Sequence, residues 1–244
     1  MENSKIAWTD HTFNPWWGCA KVSDGCKNCY ADAFSRRTGN DVFGVDKPRR
    51  FFGDKHWNEP LKWNEKAEKA GHRAYVFCAS MADVFEHRED LKLPRKRLFA
   101  LIEQTPYLIW LLLTKRPENI FELSPRVWLP DNIWLGVTVE NQEMLDSRIS
   151  LLSDIPAKKK FLSVEPMLGA IEFDKLSLMS YIDWVIVGGE SGANHRPFDW
   201  GWARDIRDQC RDAGVPFFMK QGAGKSQRSM PEIPEDLMIR EFPE

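Results

Sequence analysis

The sequence contains no apolar run long enough to cross a membrane, few cysteines and no excess of charge of one sign. Its first residues, Met-Glu-Asn-Ser-Lys, lack the apolar core of a signal peptide, so we expect a cytoplasmic protein with no membrane partner. Five cysteines in 244 residues are too few for a disulfide scaffold. The formal net charge of −2 excludes a general electrostatic attraction to nucleic acid.

Three of the five cysteines lie close together, and they are the most informative residues of the chain. Cys19, Cys26 and Cys29 form a C-x6-C-x2-C cluster on a glycine-punctuated loop over residues 18–30. The odd number of cysteines and their clustering indicate a metal site in a reducing compartment. Three thiolates are one ligand fewer than a zinc site or an iron–sulfur cluster usually has. An iron–sulfur cluster held by these cysteines would therefore have one iron open for chemistry.

The other two cysteines are typical of packing residues. Cys78 lies within an apolar run and Cys210 on the apolar face of a predicted helix, so we expect both to be buried. A zinc site would need a histidine as its fourth ligand, and no spacing selects one, not even His11 or His56.

Short apolar runs alternate with helical patterns through the middle of the chain. The runs are rich in β-branched and aromatic residues, which favours parallel strands buried on both faces. They cover residues 75–79, 108–113, 133–139, 160–164, 184–187 and 215–219. Residues 12–18 are predicted to form an earlier strand that ends just before the cysteine loop.

Helix signals fill the intervals between these runs. Pro94 suits a first helical turn, Asn141 and Asp199 suit N-caps, and Gly214 suits a helix end. Strand–helix alternation implies βαβ units with right-handed crossovers. The sequence therefore predicts an α/β fold, a partial (β/α)6-type TIM-like barrel of parallel strands, with a doubly wound open sheet as the alternative. We expect one domain over residues 1–222, followed by an irregular C-terminal tail over 223–244.

Polar residues and glycines follow nearly every predicted strand. The carboxyl ends of the strands carry the functional site in both candidate folds, so these residues are predicted to bind a cofactor there. Glycines after a buried strand also let a backbone approach a ligand closely. The set comprises Ser80, Asp83, Lys115, Thr138, Glu140, Glu165, Gly188, Gly189 and Glu190.

A basic and aromatic segment over residues 34–60 follows the cysteine loop. Cations bind phosphate and aromatic rings stack on bases, so the segment is predicted to contact a nucleotide or nucleic acid substrate. The alternative is a solvated loop packed down by its aromatic residues. The predicted substrate contacts are Arg36, Arg37, Arg49, Arg50 and Trp57.

Three closely spaced cysteines after the first strand of a partial barrel resemble the radical S-adenosylmethionine (SAM) superfamily. The resemblance implies an enzyme in which Cys19, Cys26 and Cys29 bind three irons of a [4Fe–4S] cluster. The amino and carboxylate groups of SAM chelate the fourth iron. An electron from a donor then cleaves SAM to methionine and a 5′-deoxyadenosyl radical that acts on the substrate.

In the superfamily, further contacts to SAM come from residues at set positions along the strands of the barrel. The resemblance implies that Thr138 and Glu140 bind the SAM ribose, that residues 188–190 meet the adenine, and that Lys115 or Arg116 pairs with the SAM carboxylate.

A second resemblance covers nearly the whole chain, and it is to a phage-associated three-Cys-motif family of uncharacterised proteins. It is carried by the strings W-T-D-H-T-F-N-P-W-W-G-C, V-S-D-G-C-K-N-C-Y, G-V-T-V-E-N-Q, S-V-E-P and V-I-V-G-G-E-S-G.

Two other functions stay open at this point. A zinc-stabilised nucleic-acid-binding protein would need a fourth zinc ligand and would be colourless. An iron–sulfur redox protein without SAM chemistry would need a fourth cluster ligand, and it would leave the acids at the strand ends unexplained.

Overall fold

A seven-stranded parallel sheet forms the framework of the protein, as seen in a computed structural model that describes residues 1–124, 129–173 and 180–244. The sheet has the order β1-β4-β5-β6-β7-β8-β9. Its strands are β1 (His11–Thr12), β4 (Ala74–Cys78), β5 (Leu108–Thr114), β6 (Ile133–Thr138), β7 (Lys159–Val164), β8 (Trp184–Gly188) and β9 (Phe217–Gln221). A separate antiparallel pair joins β2 (Trp16–Trp17) to β3 (Arg50–Phe51).

The strand order confirms the predicted α/β fold class and partial barrel. A doubly wound sheet would place later strands on both sides of the first one, whereas here the strands follow chain order. The central strands are buried along their length, β6 and β8 at every residue, as their apolar sequences require.

Helices occupy the predicted intervals between the strands. They are α1 (Tyr30–Arg37), α2 (Asp54–Trp57), α3 (Glu59–Ala70), α4 (Lys92–Glu103), α5 (Ile120–Leu123), α6 (Gln142–Ser153) and α7 (Trp200–Ala213). The predicted caps are confirmed, since Asn141 accepts a bond from the Met144 N–H at 3.0 Å and Asp199 accepts one from the Gly201 N–H at 2.7 Å. Gly214 ends α7 with a φ of +69°. None of the described helices is long and apolar enough to span a membrane.

The predicted strand over residues 12–18 is wrong as a single element. Only His11 and Thr12 pair with β4, and the chain then leaves the sheet before Trp16 begins the separate antiparallel pair. Pro15 lacks a backbone N–H and cannot continue a ladder. Asn14 instead accepts a bond from the Met81 N–H at 2.7 Å and donates to the Ser80 hydroxyl at 3.1 Å.

The chain divides into two compact units, and the division falls inside the cysteine loop. The first unit contains Met1–Lys21, Ala31–Leu135 and Ile155–Lys158. The second contains Val22–Tyr30, Gly136–Asp154 and Lys159–Glu244. Residues 223–244 belong to the second unit, where the Met219 N–H donates to the Ile239 carbonyl at 2.9 Å. The single domain over 1–222 stays a prediction.

Candidate functional site

Arg116 holds the start of the cysteine loop within the first unit. It follows β5, is buried, and donates from Nη1 to the Cys19 Sγ at 3.4 Å and from Nη2 to the Ala20 carbonyl at 2.7 Å. Asp83 accepts a bond from the same Nη1 at 2.9 Å. A guanidinium fixed by a carboxylate keeps its fork of donors in one orientation, so Arg116 positions the first thiol of the cluster.

Both carboxylate oxygens of Asp83 already accept hydrogen bonds from the protein, so neither is available for the cofactor contact that the sequence predicts. Besides Arg116, its carboxylate accepts bonds from the Thr114 hydroxyl at 2.7 Å and from the N–H groups of Phe85 and Lys115 at 2.9 and 3.1 Å. The contacts of Asp83 are internal: it orients Arg116 and the turn after β5.

Glu86 and Arg49 form a second buried pair that holds the loop. Glu86 accepts the Ala20 N–H at 3.1 Å and binds Arg49 through both oxygens, at 2.6 Å to Nη2 and 3.0 Å to Nε. The Arg49 side chain is 0% exposed, and its third nitrogen donates to three backbone carbonyls. A phosphate does not reach this guanidinium, so the structure gives Arg49 a packing role and not the predicted substrate contact.

Glu140 holds the part of the cysteine loop that lies in the second unit. It is fully buried, accepts the Ser23 hydroxyl at 2.5 Å and pairs with Arg148 at 2.9 Å. Arg148 also donates to the Thr138 carbonyl at 2.7 Å. Gly25 of the loop packs directly against this carboxylate, because a Cβ there would lie 2.3 Å from Oε1. Glu140, predicted to bind the SAM ribose, therefore supports the part of the loop that carries Cys26.

Glu190 and Arg196 hold the end of the loop. Glu190 is 6% exposed, accepts two side-chain bonds from Arg196 at 2.7 and 3.0 Å, and accepts a third from the Asn28 amide at 3.1 Å. Arg196 also donates to the Asp24 carbonyl at 3.0 Å. Burial by itself would raise the pKa of Glu190, but the bonds from Arg196 and Asn28 outweigh it and lower that pKa. Glu190 is thus held as a carboxylate beside Asn28, next to Cys29.

Four acid–arginine pairs therefore hold the cysteine loop, two in each unit. They are Asp83–Arg116, Glu86–Arg49, Glu140–Arg148 and Glu190–Arg196. Sequence reasoning missed Glu86, Arg148 and Arg196. For Arg148 a signal existed: it lies between Leu145 and Leu152 on the buried stripe of α6, and an arginine on an apolar stripe needs a buried partner.

The three loop cysteines differ from the other two in exposure. Cys19, Cys26 and Cys29 are residues of intermediate exposure, whereas Cys78 and Cys210 are fully buried, as predicted. Burial, aided by Asp83, raises the pKa of Cys19 to about 12 against the opposing effect of Arg116, so binding a metal there must displace a proton. Within the described residues no three His, Cys, Asp or Glu side chains are grouped around one point as ligands of a single ion.

The chemistry of the donors fits an iron–sulfur cluster, which takes thiolate ligands, and three cysteines lie on one short loop. The same thiolates also suit zinc, which would need a fourth ligand. The two histidines considered as fourth zinc ligands have other contacts. His11 stacks on Trp63 with ring centroids 4.6 Å apart, and His56 packs between Phe13 and Phe52 with Nε2 2.8 Å from the Asn14 carbonyl.

The remaining predicted cofactor contacts have separate surroundings. Glu165 forms an ion pair with Lys220, and a Cβ at Gly188 would lie 3.2 Å from the Glu165 Oε1. Gly189 faces the chain itself, because its Cβ would lie 2.3 Å from the Ala223 N, so the close approach there is by backbone and not by a ligand. Thr138 is buried, and Ser80 and Lys115 are partly exposed in the first unit.

The predicted substrate residues also separate by exposure. Trp57 is 4% exposed beneath the Arg97 guanidinium, which lies 4.6 Å from its ring centroid, so it is a packing residue. Arg36, Arg37 and Arg50 are exposed, and Arg36 pairs with Asp32 at 2.7 Å.

Gly25→Ala should destabilise the protein, because the new methyl group overlaps Glu140, which is buried and fixed by Arg148. We expect a loss of about 1–3 kcal/mol in the free energy of unfolding, measured by chemical denaturation. Gly53→Ala is the matched control, since nothing lies within 4 Å of its Cβ and its φ of −81° suits alanine. Equal stabilities for the two variants would show that Gly25 does not pack on Glu140.

An α/β partial barrel with a cysteine loop held by strand-end carboxylates is the class of protein that the fold and the site define. The chain belongs to the family described as "Protein of unknown function (DUF5131)", whose model matches residues 3–240. No curated protein matches the sequence.

Solved structures of spore photoproduct lyase are similar in fold. A tyrosine-to-phenylalanine mutant of that enzyme has a TM-score of 0.59 and 11% identity, over 90% of this chain and 78% of the lyase. A cysteine-to-alanine mutant with dinucleoside spore photoproduct has a TM-score of 0.57 and 12% identity, over 91% and 78%. At this level of identity the likeness shows a shared fold.

Proposed function

We propose that this protein is a radical SAM enzyme in which Cys19, Cys26 and Cys29 bind a [4Fe–4S] cluster. The observation that carries the proposal is the cysteine loop itself: three cysteines of intermediate exposure on a segment held by four acid–arginine pairs. Three of these pairs are buried on both sides, and each must offset a desolvation cost of several kcal/mol per ion. The similarity in fold to spore photoproduct lyase supports the same class.

A [4Fe–4S] cluster held by Cys19, Cys26 and Cys29 would supply the one-electron reduction by which SAM is cleaved. The residues of this chain would orient the cysteines that hold the cluster. Arg116 positions Cys19, and Ser23 lies between Glu140 and Cys26, 2.5 Å from the carboxylate and 3.8 Å from the sulfur. Hydrogen bonds to cluster sulfurs change the reduction potential, so Arg116 and Ser23 would also tune the cluster.

The residues that contact SAM stay proposals. Because Asp83, Glu140 and Glu190 already support the loop, we assign them a positioning role. Ser80 and Lys115 in the first unit, and Thr138, Glu165 and Gly188 in the second, remain candidates for direct contact. An electron donor is required as a partner. The phage association stays a prediction.

Formation of 5′-deoxyadenosine tests this proposal. The protein, reconstituted anaerobically with iron and sulfide and then reduced, should convert SAM to 5′-deoxyadenosine and methionine without added substrate. Chromatography with mass detection measures both products. A redox protein without SAM chemistry would be coloured but would form neither, and a zinc protein would be colourless. Either result would overturn the proposal.

A further inference from the structure

Aromatic rings and arginines form a partly exposed cluster beside the cysteine loop in the first unit: Phe34, Arg37 and Arg50 are exposed, and Trp17 and Phe52 are of intermediate exposure. We call the cluster of Trp17, Phe34, Arg37, Arg50 and Phe52 the aromatic–arginine surface. Trp17 is its centre, with ring centroids 5.9 Å from Phe34 and 5.8 Å from Phe52. Trp17 precedes Cys19 by two residues, so the surface begins where the cysteine loop begins.

The two arginines lie over the rings. The Arg50 guanidinium is 4.7 Å from the Trp17 centroid and 5.3 Å from the Phe52 centroid, and the Arg37 guanidinium is 5.4 Å from the Phe34 centroid. Trp17 and Arg50 are register partners in the β2–β3 pair, so the backbone fixes this contact. A guanidinium that lies over a ring keeps N–H donors at its edge for another acceptor.

Exposure and charge distinguish this surface from the protein core. Phe34 is 38% exposed and the adjoining Phe51 47%, while Trp16, next to Trp17, is fully buried. Neither Arg37 nor Arg50 makes an ion pair in the part of the chain that the structure describes, although Arg36 and Arg49 beside them both pair with acids. The surface thus presents two arginines that make no ion pair among the described residues, although Arg50 donates to the Asn40 Oδ1 at 3.2 Å, together with the exposed Phe34 ring, on a chain whose net charge is −2.

We propose that the aromatic–arginine surface binds a single-stranded nucleic acid, with bases stacked on its rings and phosphates on Arg37 and Arg50. Stacking needs bases with free faces, which a single strand presents and a duplex does not. Two unpaired arginines supply too little charge to hold a duplex by its backbone alone. This inference rests on the proposed function, since it names the class of substrate for that site.

Fluorescence anisotropy of a labelled short oligothymidylate tests the inference, with a labelled duplex of the same length beside it. The full chain is used both before and after reconstitution with iron and sulfide. Wild type should bind the single strand at about 50 mM salt and more weakly at about 200 mM. The Arg37→Ala/Arg50→Ala variant should bind at least about tenfold more weakly. Its salt slope should fall by about 1.4, because each phosphate contact to a single strand contributes about 0.7.

Phe34→Leu tests stacking separately, since leucine keeps an apolar side chain but removes the ring. Loss of one stacking ring should weaken binding by roughly ten- to a hundred-fold. The matched controls are exposed residues of the first unit outside the surface: Arg73→Ala for the charge and Phe121→Leu for the ring. Both controls should bind as wild type does.

Several results would overturn the inference: no binding by wild type at low salt, preference for the duplex, or equal binding by surface and control variants. Oligothymidylate binding is measured separately from the cluster, which is assayed by absorbance and by SAM cleavage. If wild type cleaves SAM but does not bind the oligothymidylate, this inference alone is refuted. If wild type binds the oligothymidylate but forms no cluster or does not cleave SAM, the proposed function alone is refuted.

Discussion

Replacing Cys19, Cys26 or Cys29 singly with alanine should abolish the visible absorbance of the anaerobically reconstituted protein. A [4Fe–4S] cluster with three protein ligands would lose one of those three ligands with each substitution. Iron and acid-labile sulfide, measured on the desalted protein, should fall together with the colour. We expect the loss to be essentially complete for each of the three variants.

Cys78→Ala and Cys210→Ala are the matched controls for this prediction. Both residues are fully buried and lie far from the loop in the chain, whereas the three loop cysteines are of intermediate exposure. These variants should keep full iron and sulfide content, with only the modest loss of stability that a small core cavity causes. Iron retained in a loop variant, or lost in a core variant, would show that the ligands are misassigned.

Glu140→Ala should strongly destabilise the protein. The substitution leaves the buried Arg148 guanidinium without its carboxylate, and it also removes the acceptor of the Ser23 hydroxyl. Breaking a buried ion pair from one side costs about 3–5 kcal/mol in the free energy of unfolding, which chemical denaturation measures. Glu140→Gln keeps an acceptor for Ser23 and should fall between alanine and wild type.

The control for Glu140→Ala is Asp236→Ala. Asp236 also pairs with arginines, Arg204 and Arg207, but its side chain is 47% exposed. Because solvent already screens this pair, its loss should change stability little. If Glu140→Ala were as stable as Asp236→Ala, the Glu140–Arg148 pair would not hold the loop.

The sequence was sufficient to predict most helices and strands, because the signals that mark them lie within a few neighbouring residues. Buried parallel strands such as β5 and β8 are continuous apolar runs, and caps such as Asn141 act within three residues of themselves. The predicted first strand was wrong because Pro15, which lacks a backbone N–H, interrupts it, and because the Asn14 side chain bonds to the Met81 N–H instead. The proline was a visible signal against a single strand.

The contacts of the candidate site could not be predicted from the sequence. Glu140 and Glu190 follow β6 and β8, yet their partners Ser23 and Asn28 are more than a hundred residues away in the chain. No spacing rule identifies a pair of that separation. Arg49 and Arg50 illustrate the same limit. They are adjacent residues of one basic segment, yet Arg49 is buried in an ion pair with Glu86 and Arg50 is exposed over the Trp17 ring.

Cleavage of SAM tests the central claim most directly. Reduced, reconstituted protein should form 5′-deoxyadenosine and methionine in equal amounts, and omission of the reductant or use of Cys26→Ala should abolish both. This outcome would require a cluster with an iron open to SAM on the loop formed by Cys19, Cys26 and Cys29. A fully loaded, reducible cluster that forms no 5′-deoxyadenosine, or wild-type protein that contains zinc after expression with ample iron, would contradict the account.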